Sequence, residues 1–352
     1  MRVLPLSRFL ASQTLPIWLL QATSMQPDSA DARHLVADVG GTHARFALVT
    51  DARGELSNAL TLDTADFPTL LDAVRHYLVQ CGAPALRDAA IAIATPVLGD
   101  AVRMTNHHWS FSIEKTRRAI GVGRLLVLND FAALALSLPA LAASELRQVG
   151  GGAPVDEAPQ ALIGPGTGLG VSGLVPAGGG RWLPIAGEGG HVTLCATNNR
   201  EADILRILRK KYPHVSAERV LSGVGLSDVY QAIALLGGRT PKTLTPAEVS
   251  GAGLAGSDPV CVEALETFCA MLGSVAGNLA LTLGARGGLY IGGGIVPKLG
   301  EYFYRSPFRD RFEAKGRFTD YLAAIPTYVI LSENAALRGA AMALNTSAAP
   351  AS

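Results

Sequence analysis

Residues 34–49 read HLVADVGGTHARFALV, in which an apolar run ends beside an aspartate, two glycines and a threonine follow, and a second apolar run begins. This pattern predicts two strands joined by a tight turn at Gly40 and Gly41. The turn has two interpretations. It is either an ordinary β-hairpin, or a site in which backbone N–H groups and the Thr42 hydroxyl meet phosphate while Asp38 holds Mg²⁺ through water.

Short apolar runs and stretches of helical spacing alternate from residue 34 onward, which predicts an α/β fold. Strands are predicted within 34–39, 44–50, 88–97, 124–130, 161–175, 287–297 and 325–331. Helices are predicted within 67–82, 201–212, 225–237, 258–284 and 334–344, and residues 105–121 are predicted to run from a loop into a helix. Residues 148–160, QVGGGAPVDEAPQ, are rich in Gly, Pro and acid and are interpreted as a linker region.

Two later glycine-rich turns resemble the first one. Residues 161–175, ALIGPGTGLGVSGLV, repeat the order of strand, Gly/Thr turn and strand, which suggests a duplicated architecture. The sequence 290–299, YIGGGIVPKL, places a third turn between a strand and a helix that begins near Pro297. Neither a P-loop nor a strict dinucleotide-binding fingerprint is present, so bare backbone at these turns is the feature that phosphate or a nucleoside would use.

Several acidic side chains and one histidine are candidates for chemistry. Asp130 follows a buried strand and precedes a helix, so it is either a helix N-cap or a base that accepts a proton from an attacking hydroxyl. Glu188 and His191 lie in a glycine-flanked turn, and Glu218 lies in the sequence SAERVLSG. They are suited to binding adjacent hydroxyls, but a surface turn and a first helical turn are the alternatives. Spacing alone does not join them into one site.

Composition narrows the class of partner. The chain has 352 residues, 49% of them hydrophobic, and 30 basic against 29 acidic side chains, giving a net charge of +1. This length suits two domains, and the balanced charge gives no reason to expect nucleic acid or a membrane as a partner.

The four cysteines form no CxxC pair, which indicates free thiols in a reducing compartment, the cytoplasm. Residues 1–33 are interpreted as a leader that is disordered, or not translated if synthesis begins at Met25.

Seven motifs, in this order, resemble the bacterial glucokinase family. They are VADVGGTHARFAL, IAIATPVLGDAVRMTNHHWSFS, LLVLNDFAALAL, IGPGTGLGV, GEGGHV, ERVLSG and GGLYIGGGIVPK. The resemblance covers about residues 34 to 345 and implies the two-domain actin/hexokinase-type fold, in which duplicated ribonuclease-H-like α/β domains flank a cleft. It implies a smaller domain of residues 34–140 plus 334–346, a larger domain of residues 141–333, and a tail of residues 347–352. His43 departs from the family, which commonly has asparagine there.

The resemblance also implies the roles of the candidate residues. Asp130 would be the catalytic base, and glucose hydroxyls would be bound by Asn129, Asp130, Glu188, His191 and Glu218. ATP would be bound by Ala37, Asp38, Val39, Gly40, Gly41 and Thr42, by Gly166, Thr167 and Gly168, and by Gly292, Gly293 and Gly294, with Mg²⁺ near Asp38.

We therefore expect ATP-dependent phosphorylation of D-glucose to glucose 6-phosphate. A kinase of another hexose and a non-catalytic sugar or nucleotide sensor are the alternatives. The expected partner is glucose, without nucleic acid or membrane, and a homodimer is considered.

Overall fold

The computed structural model describes residues 33–50 and 55–346. The chain forms two compact units: the first contains the described residues up to Ala133 and from Leu337 onward, and the second is Leu134–Ala336. The resemblance to the glucokinase family implies divisions a few residues away, after residues 140 and 333. Arg33 already belongs to the first strand, whereas the rest of the predicted leader and the tail 347–352 lie outside the described residues.

The first unit is built on a five-stranded sheet of order β3-β2-β1-β4-β7. Strands β1, β4 and β7 are parallel, and β2 is antiparallel to both of its neighbours. The strands are β1 (Arg33–Val39), β2 (His43–Val49), β3 (Ser57–Asp63), β4 (Leu86–Ile93) and β7 (Arg124–Asn129), with a separate hairpin of β5 (Ala101–Arg103) and β6 (Ser110–Ser112).

Helices cover this sheet and close its core. The Thr69 hydroxyl accepts a bond from the Asp72 N–H and so starts the first helix, and the Tyr77 ring of that helix stacks on Phe46 with centroids 5.2 Å apart. A Cβ on Gly339 would lie 1.7 Å from the Ala133 carbonyl oxygen, so the last helix meets α3 backbone to backbone. The helices are α1 (Leu70–Gln80), α2 (Ile113–Ile120), α3 (Asp130–Ser137) and, at the end of the chain, α12 (Ala335–Thr346).

The second unit repeats the pairing pattern of the first. Its sheet has the order β11-β10-β9-β12-β13-β8. The central strand β9 is antiparallel to β10 and parallel to β12, as β1 is to β2 and β4, and β8 adds an antiparallel edge. This repetition confirms the duplicated architecture. The strands are β8 (Leu146–Gly150), β9 (Gln160–Pro165), β10 (Leu169–Pro176), β11 (Trp182–Ala186), β12 (Leu289–Ile291) and β13 (Thr327–Ile330).

The long helix α7 (Pro259–Leu283) forms the centre of the second unit. It is the one described helix long and apolar enough to cross a membrane, and 67% of its most apolar window is buried within the protein. A core helix of a soluble protein has the same properties. Gly273 and Gly277 admit a neighbouring helix, since added Cβ atoms would lie 2.1 Å from the Phe308 oxygen and 2.6 Å from the Phe312 oxygen. The other helices are α4 (Asn199–Leu208), α5 (Gly223–Leu236), α6 (Pro246–Leu254), α8 (Val296–Leu299), α9 (Glu301–Arg305), α10 (Phe308–Glu313) and α11 (Thr319–Ala324).

Two interpretations of the sequence were wrong in detail. The region 148–160, taken as a linker, contains the end of strand β8, because its backbone pairs with β13 despite the glycines. The stretch 105–121 is not simply loop and helix, since Ser110–Ser112 pair with Ala101–Arg103 before α2 begins. The free cysteines were predicted correctly, and Cys261 and Cys269 are buried.

Candidate active site

The parallel strands of the first unit bring two predicted motifs to one edge of the sheet. In the register of β1, β4 and β7, Val39 lies beside Ile93, and Ile93 lies beside Asn129. These are the last residues of three adjacent parallel strands, so the segments that follow them leave the sheet at the same level. The first glycine turn and the Asn129–Asp130 pair are therefore neighbours in space, although about 90 residues of chain separate them.

Asn129 and Asp130 form a hydrogen-bonded pair at the start of α3. The Asn129 Oδ1 atom accepts from the N–H groups of Phe131 (2.9 Å) and Ala132 (3.2 Å), and so caps the helix. The Asn129 Nδ2 group donates to Asp130 Oδ1 at 3.0 Å, and the Phe131 N–H donates to the same oxygen at 2.9 Å. The capping role that the sequence offered for Asp130 thus belongs largely to Asn129, and these bonds fix the direction of the Asp130 carboxylate.

The first glycine turn is held from two sides. The Gly40 N–H donates to the His43 oxygen at 2.9 Å, and the Thr64 hydroxyl donates to the Gly41 oxygen at 2.9 Å. A Cβ on Gly41 would lie 3.1 Å from the Asn106 oxygen, whereas one on Gly40 would meet only the His43 oxygen, at 3.5 Å. A side chain at residue 41 would therefore press on the Asn106 backbone, whereas Gly40 has only an ordinary van der Waals neighbour and leaves backbone open to a ligand.

Asp38 is the carboxylate of this turn. Its side chain is 19% exposed, and its Oδ2 atom lies 3.5 Å from Arg45 Nη1. Burial raises the pKa of Asp38, and the Arg45 guanidinium offsets only part of that effect. A cation near this carboxylate would lower its pKa again. No group of three or more His, Cys, Asp or Glu side chains able to hold a metal occurs in residues 33–50 and 55–346.

The second and third glycine turns lie side by side in the second unit. The Gly292 N–H donates to the Ile163 oxygen at 2.8 Å, and the Ile295 N–H donates to the Pro165 oxygen at 3.3 Å. Gly293 has a φ of +77°, and a Cβ there would lie 2.4 Å from the Pro165 oxygen. Cβ atoms on Gly166 and Gly294 would meet nothing within 4 Å. Gly293 is therefore needed for the fold, while Gly166 and Gly294 present open backbone.

Glu188 and His191 belong to a short 3₁₀ turn next to the second glycine turn. Both side chains are exposed, and His191 Nε2 lies 4.0 Å from Glu188 Oε2. A Cβ on Gly190 would lie 2.0 Å from the Leu169 oxygen, so this turn contacts the start of β10 directly. Two polar side chains are thus presented to solvent from a backbone that is tightly packed.

Glu218 joins these elements. It lies in a turn before α5 rather than in a first helical turn, which corrects that alternative. Its N–H donates to the Gly190 oxygen at 2.9 Å, and its Oε2 atom accepts from the Leu169 N–H at 2.9 Å. The structure therefore brings Glu188, His191, Glu218 and the second glycine turn together within the second unit.

Sequence reasoning missed two neighbours of these turns. Asn106 lies against Gly41, and the Gly223 N–H donates to the Gly166 oxygen at 2.9 Å. Both contacts join residues more than 50 positions apart, and neither residue carries a local pattern that would have indicated the contact.

Comparison with known proteins gives one consistent result. The family model described as Glucokinase matches residues 35–347. The chain is 59% identical to a glucokinase of Chromobacterium violaceum, covering 90% of this chain and 91% of that protein, and 58% identical to one of Aromatoleum aromaticum, covering 90% and 95%. The crystal structure of a glucokinase from an Antarctic psychrotroph superposes with a TM-score of 0.81 at 39% identity, covering 89% of this chain and 99% of that one. The predicted hexokinase-type α/β fold is confirmed, and the chain belongs to the glucokinase family.

Proposed function

We propose that the chain transfers the γ-phosphoryl group of ATP to the 6-hydroxyl of D-glucose. One observation supports this proposal most directly. The parallel strands β1 and β7 end in the same register, at Val39 and Asn129, so Asp130 and the first glycine turn leave the sheet at the same edge. A base beside a phosphate-binding turn is what phosphoryl transfer to a hydroxyl requires.

In the first unit, Asp130 acts as the general base. It takes the proton of the glucose 6-hydroxyl while that oxygen forms a bond to the γ-phosphorus and the bond from phosphorus to the ADP oxygen breaks. The Asn129 amide orients the carboxylate through the 3.0 Å bond and offers hydrogen-bonding capacity to a sugar hydroxyl. Ala37 to Thr42 bind phosphate, with Gly40 as the point of closest approach.

In the second unit, Glu188, His191 and Glu218 bind sugar hydroxyls. Carboxylates and imidazole form strong hydrogen bonds with hydroxyls and leave costly unpaired groups when a hydroxyl is missing, which gives selectivity among sugars. Gly166 to Gly168 bind phosphate, and Gly292 to Gly294 face the adenosine. Gly166 and Gly294 fit that use because a side chain there would point into open space.

Asp38 is the residue proposed to hold Mg²⁺, through water. Its partly exposed carboxylate is an oxygen ligand of the kind that Mg²⁺ prefers. Mg²⁺, when bound, neutralises negative charge on the phosphates. The free thiols support the further proposal that the enzyme acts in the cytoplasm.

The test is replacement of the base with the matched amide. Asp130→Asn keeps an oxygen that accepts from the Phe131 N–H but removes the proton acceptor, so we expect kcat to fall by about 10²- to 10⁴-fold with glucose affinity retained. Asp66→Asn, a similar change at an exposed carboxylate of the same unit, should leave kcat unchanged. ADP release coupled to a dehydrogenase measures both.

The same assay separates the alternatives when glucose, mannose, fructose, glucosamine and no sugar are compared. Turnover with another hexose would keep the mechanism and change the substrate. Glucose binding without turnover on any sugar would support a sensor and overturn the proposal.

A further inference from the structure

In the second unit, the Glu218 carboxylate lies against the backbone of Gly168. Neither the proposed binding of phosphate nor the proposed binding of sugar explains by itself why residue 168 is glycine. A Cβ on Gly168 would lie 2.4 Å from Glu218 Oε2, closer than real Cβ contacts allow. The same carboxylate oxygen accepts from the N–H of the next residue, Leu169, at 2.9 Å. The carboxylate thus occupies the space that a side chain at residue 168 would fill.

The neighbouring glycine of the same turn is different. A Cβ on Gly166 would meet nothing within 4 Å, and neither glycine has a positive φ. Alanine is therefore conformationally acceptable at both positions, and only at residue 168 does it collide with a functional group. The two positions form a matched pair that differs in one contact.

The backbone of Glu218 is fixed separately from its carboxylate. The Glu218 N–H donates to the Gly190 oxygen at 2.9 Å, in the turn that carries Glu188 and His191. The main chain of Glu218 is therefore tied to the proposed sugar-binding turn, and its side chain is tied to the proposed phosphate-binding turn. The carboxylate is at the free end of a flexible side chain, so it can move without unfolding the protein.

We propose that Gly168 is a positioning residue for sugar binding, which holds the Glu218 carboxylate on the Leu169 N–H by leaving it room. This inference rests on the proposed function of Glu218 as a sugar ligand. It reassigns Gly168: its lack of a side chain serves the sugar-binding carboxylate rather than close approach of phosphate. It also predicts that the two proposed substrate sites of the second unit are coupled through one hydrogen bond.

The first experiment measures glucose binding directly by calorimetry, without ATP. We expect Gly168→Ala to weaken glucose binding by about tenfold, because the hydrogen bond from the Leu169 N–H that orients the Glu218 carboxylate toward glucose is lost. Gly166→Ala should leave glucose affinity within about twofold of wild type. Thermal unfolding of both variants should match wild type, which would show that the loss is not a loss of fold.

A double-mutant cycle tests whether Gly168 affects glucose binding through the Glu218 carboxylate. Glu218→Gln keeps a side-chain oxygen that can accept from Leu169, and its effect on glucose affinity is measured alone and with Gly168→Ala. If the glycine acts through the carboxylate, the combined effect is smaller than the product of the two single effects. Independent effects, or equal losses in Gly166→Ala and Gly168→Ala, would overturn the inference.

The outcome is distinguishable from failure of the proposed function. Wild-type protein that binds glucose but transfers no phosphoryl group would refute the kinase proposal, yet the binding comparison would still test Gly168. In an active enzyme, Gly168→Ala should raise the KM for glucose by a larger factor than the KM for ATP, whereas general loosening of this phosphate-binding turn would raise the KM for ATP at least as much.

Discussion

At the scale of single residues, hydrogen bonds hold the polar groups of the candidate site, and only those between neighbours in the chain can be predicted from the sequence. Asn129 and Asp130 are adjacent in the chain, so their pairing was accessible from the sequence. Which of the two caps α3 was not, because both residue types cap helices well. The bond from Leu169 to Glu218 spans 49 residues, and nothing local in either segment indicates it.

Asp38 gives a prediction about pH and stability. Its pKa is raised from the usual 3.8 by burial, so the charged form costs folding free energy at neutral pH, and that cost disappears as the pH falls to the unfolded value. Asp38→Asn should therefore raise the thermal unfolding temperature at pH 7, and the gain should shrink as the pH falls and disappear below the unfolded pKa of 3.8.

The control and the activity assay complete that test. Asp66→Asn removes an exposed carboxylate and should show no such trend. Activity of Asp38→Asn with Mg-ATP should fall, because the carboxylate proposed to hold Mg²⁺ is gone. A lower unfolding temperature at pH 7 would show that the Arg45 contact outweighs burial.

At the scale of elements, the buried apolar strands were predictable, whereas the exposed strand β3 and the glycine-rich strand β8 were not. Strands β4, β7 and β9 are buried and nearly continuous in apolar residues, which the sequence shows directly. Strand β3, SNALTLD, is largely exposed, and β8 lies in a glycine-rich stretch. Both exist because a neighbouring strand offers hydrogen bonds, and pairing of that kind leaves little mark on composition.

The contact of α12 with α3 gives a prediction about packing. Gly339→Ala would place a methyl group 1.7 Å from the Ala133 carbonyl oxygen, a backbone atom that cannot turn away. We expect a loss of about 1–3 kcal/mol in the free energy of unfolding, measured with urea.

A helical glycine without such a contact is the matched control. A Cβ on Gly251 of α6 would meet nothing within 4 Å, so Gly251→Ala should stabilise the protein by about 0.5–1 kcal/mol. If both substitutions stabilised the protein, helix propensity rather than the contact with Ala133 would govern position 339.

At the scale of the whole molecule, two separate cores explain why the fold class was predictable from a single chain. Each unit has its own sheet of the same pairing order and its own buried cluster. The alternation of strands and helices occurs once in each half of the chain, and that repetition is sufficient to indicate a two-unit α/β fold. The division of the chain between the units depends on contacts of α3 and α12, which the alternation does not specify.

The four thiols provide a probe of the folded molecule. Cys195 is exposed, Cys81 is intermediate, and Cys261 and Cys269 are buried, with burial raising the pKa of Cys269 to about 12. Since the thiolate is the reactive form, we expect a thiol reagent at neutral pH to modify Cys195 first and to reach Cys261 and Cys269 only after unfolding. Rapid modification of all four in native protein would contradict the buried environment of α7.

The position of α7 in the chain has a consequence for synthesis. The helix ends at Leu283, whereas the residues that its glycines contact, Phe308 and Phe312, are translated later. At about 5–20 residues per second, this apolar segment waits on the order of 1–5 s before its covering helix leaves the ribosome. During that interval the face of α7 at Gly273 and Gly277 lacks the backbone that later packs on it, and exposed apolar surface of this kind favours aggregation. We therefore expect the yield of folded enzyme in a cell to fall when translation across residues 284–312 is slowed.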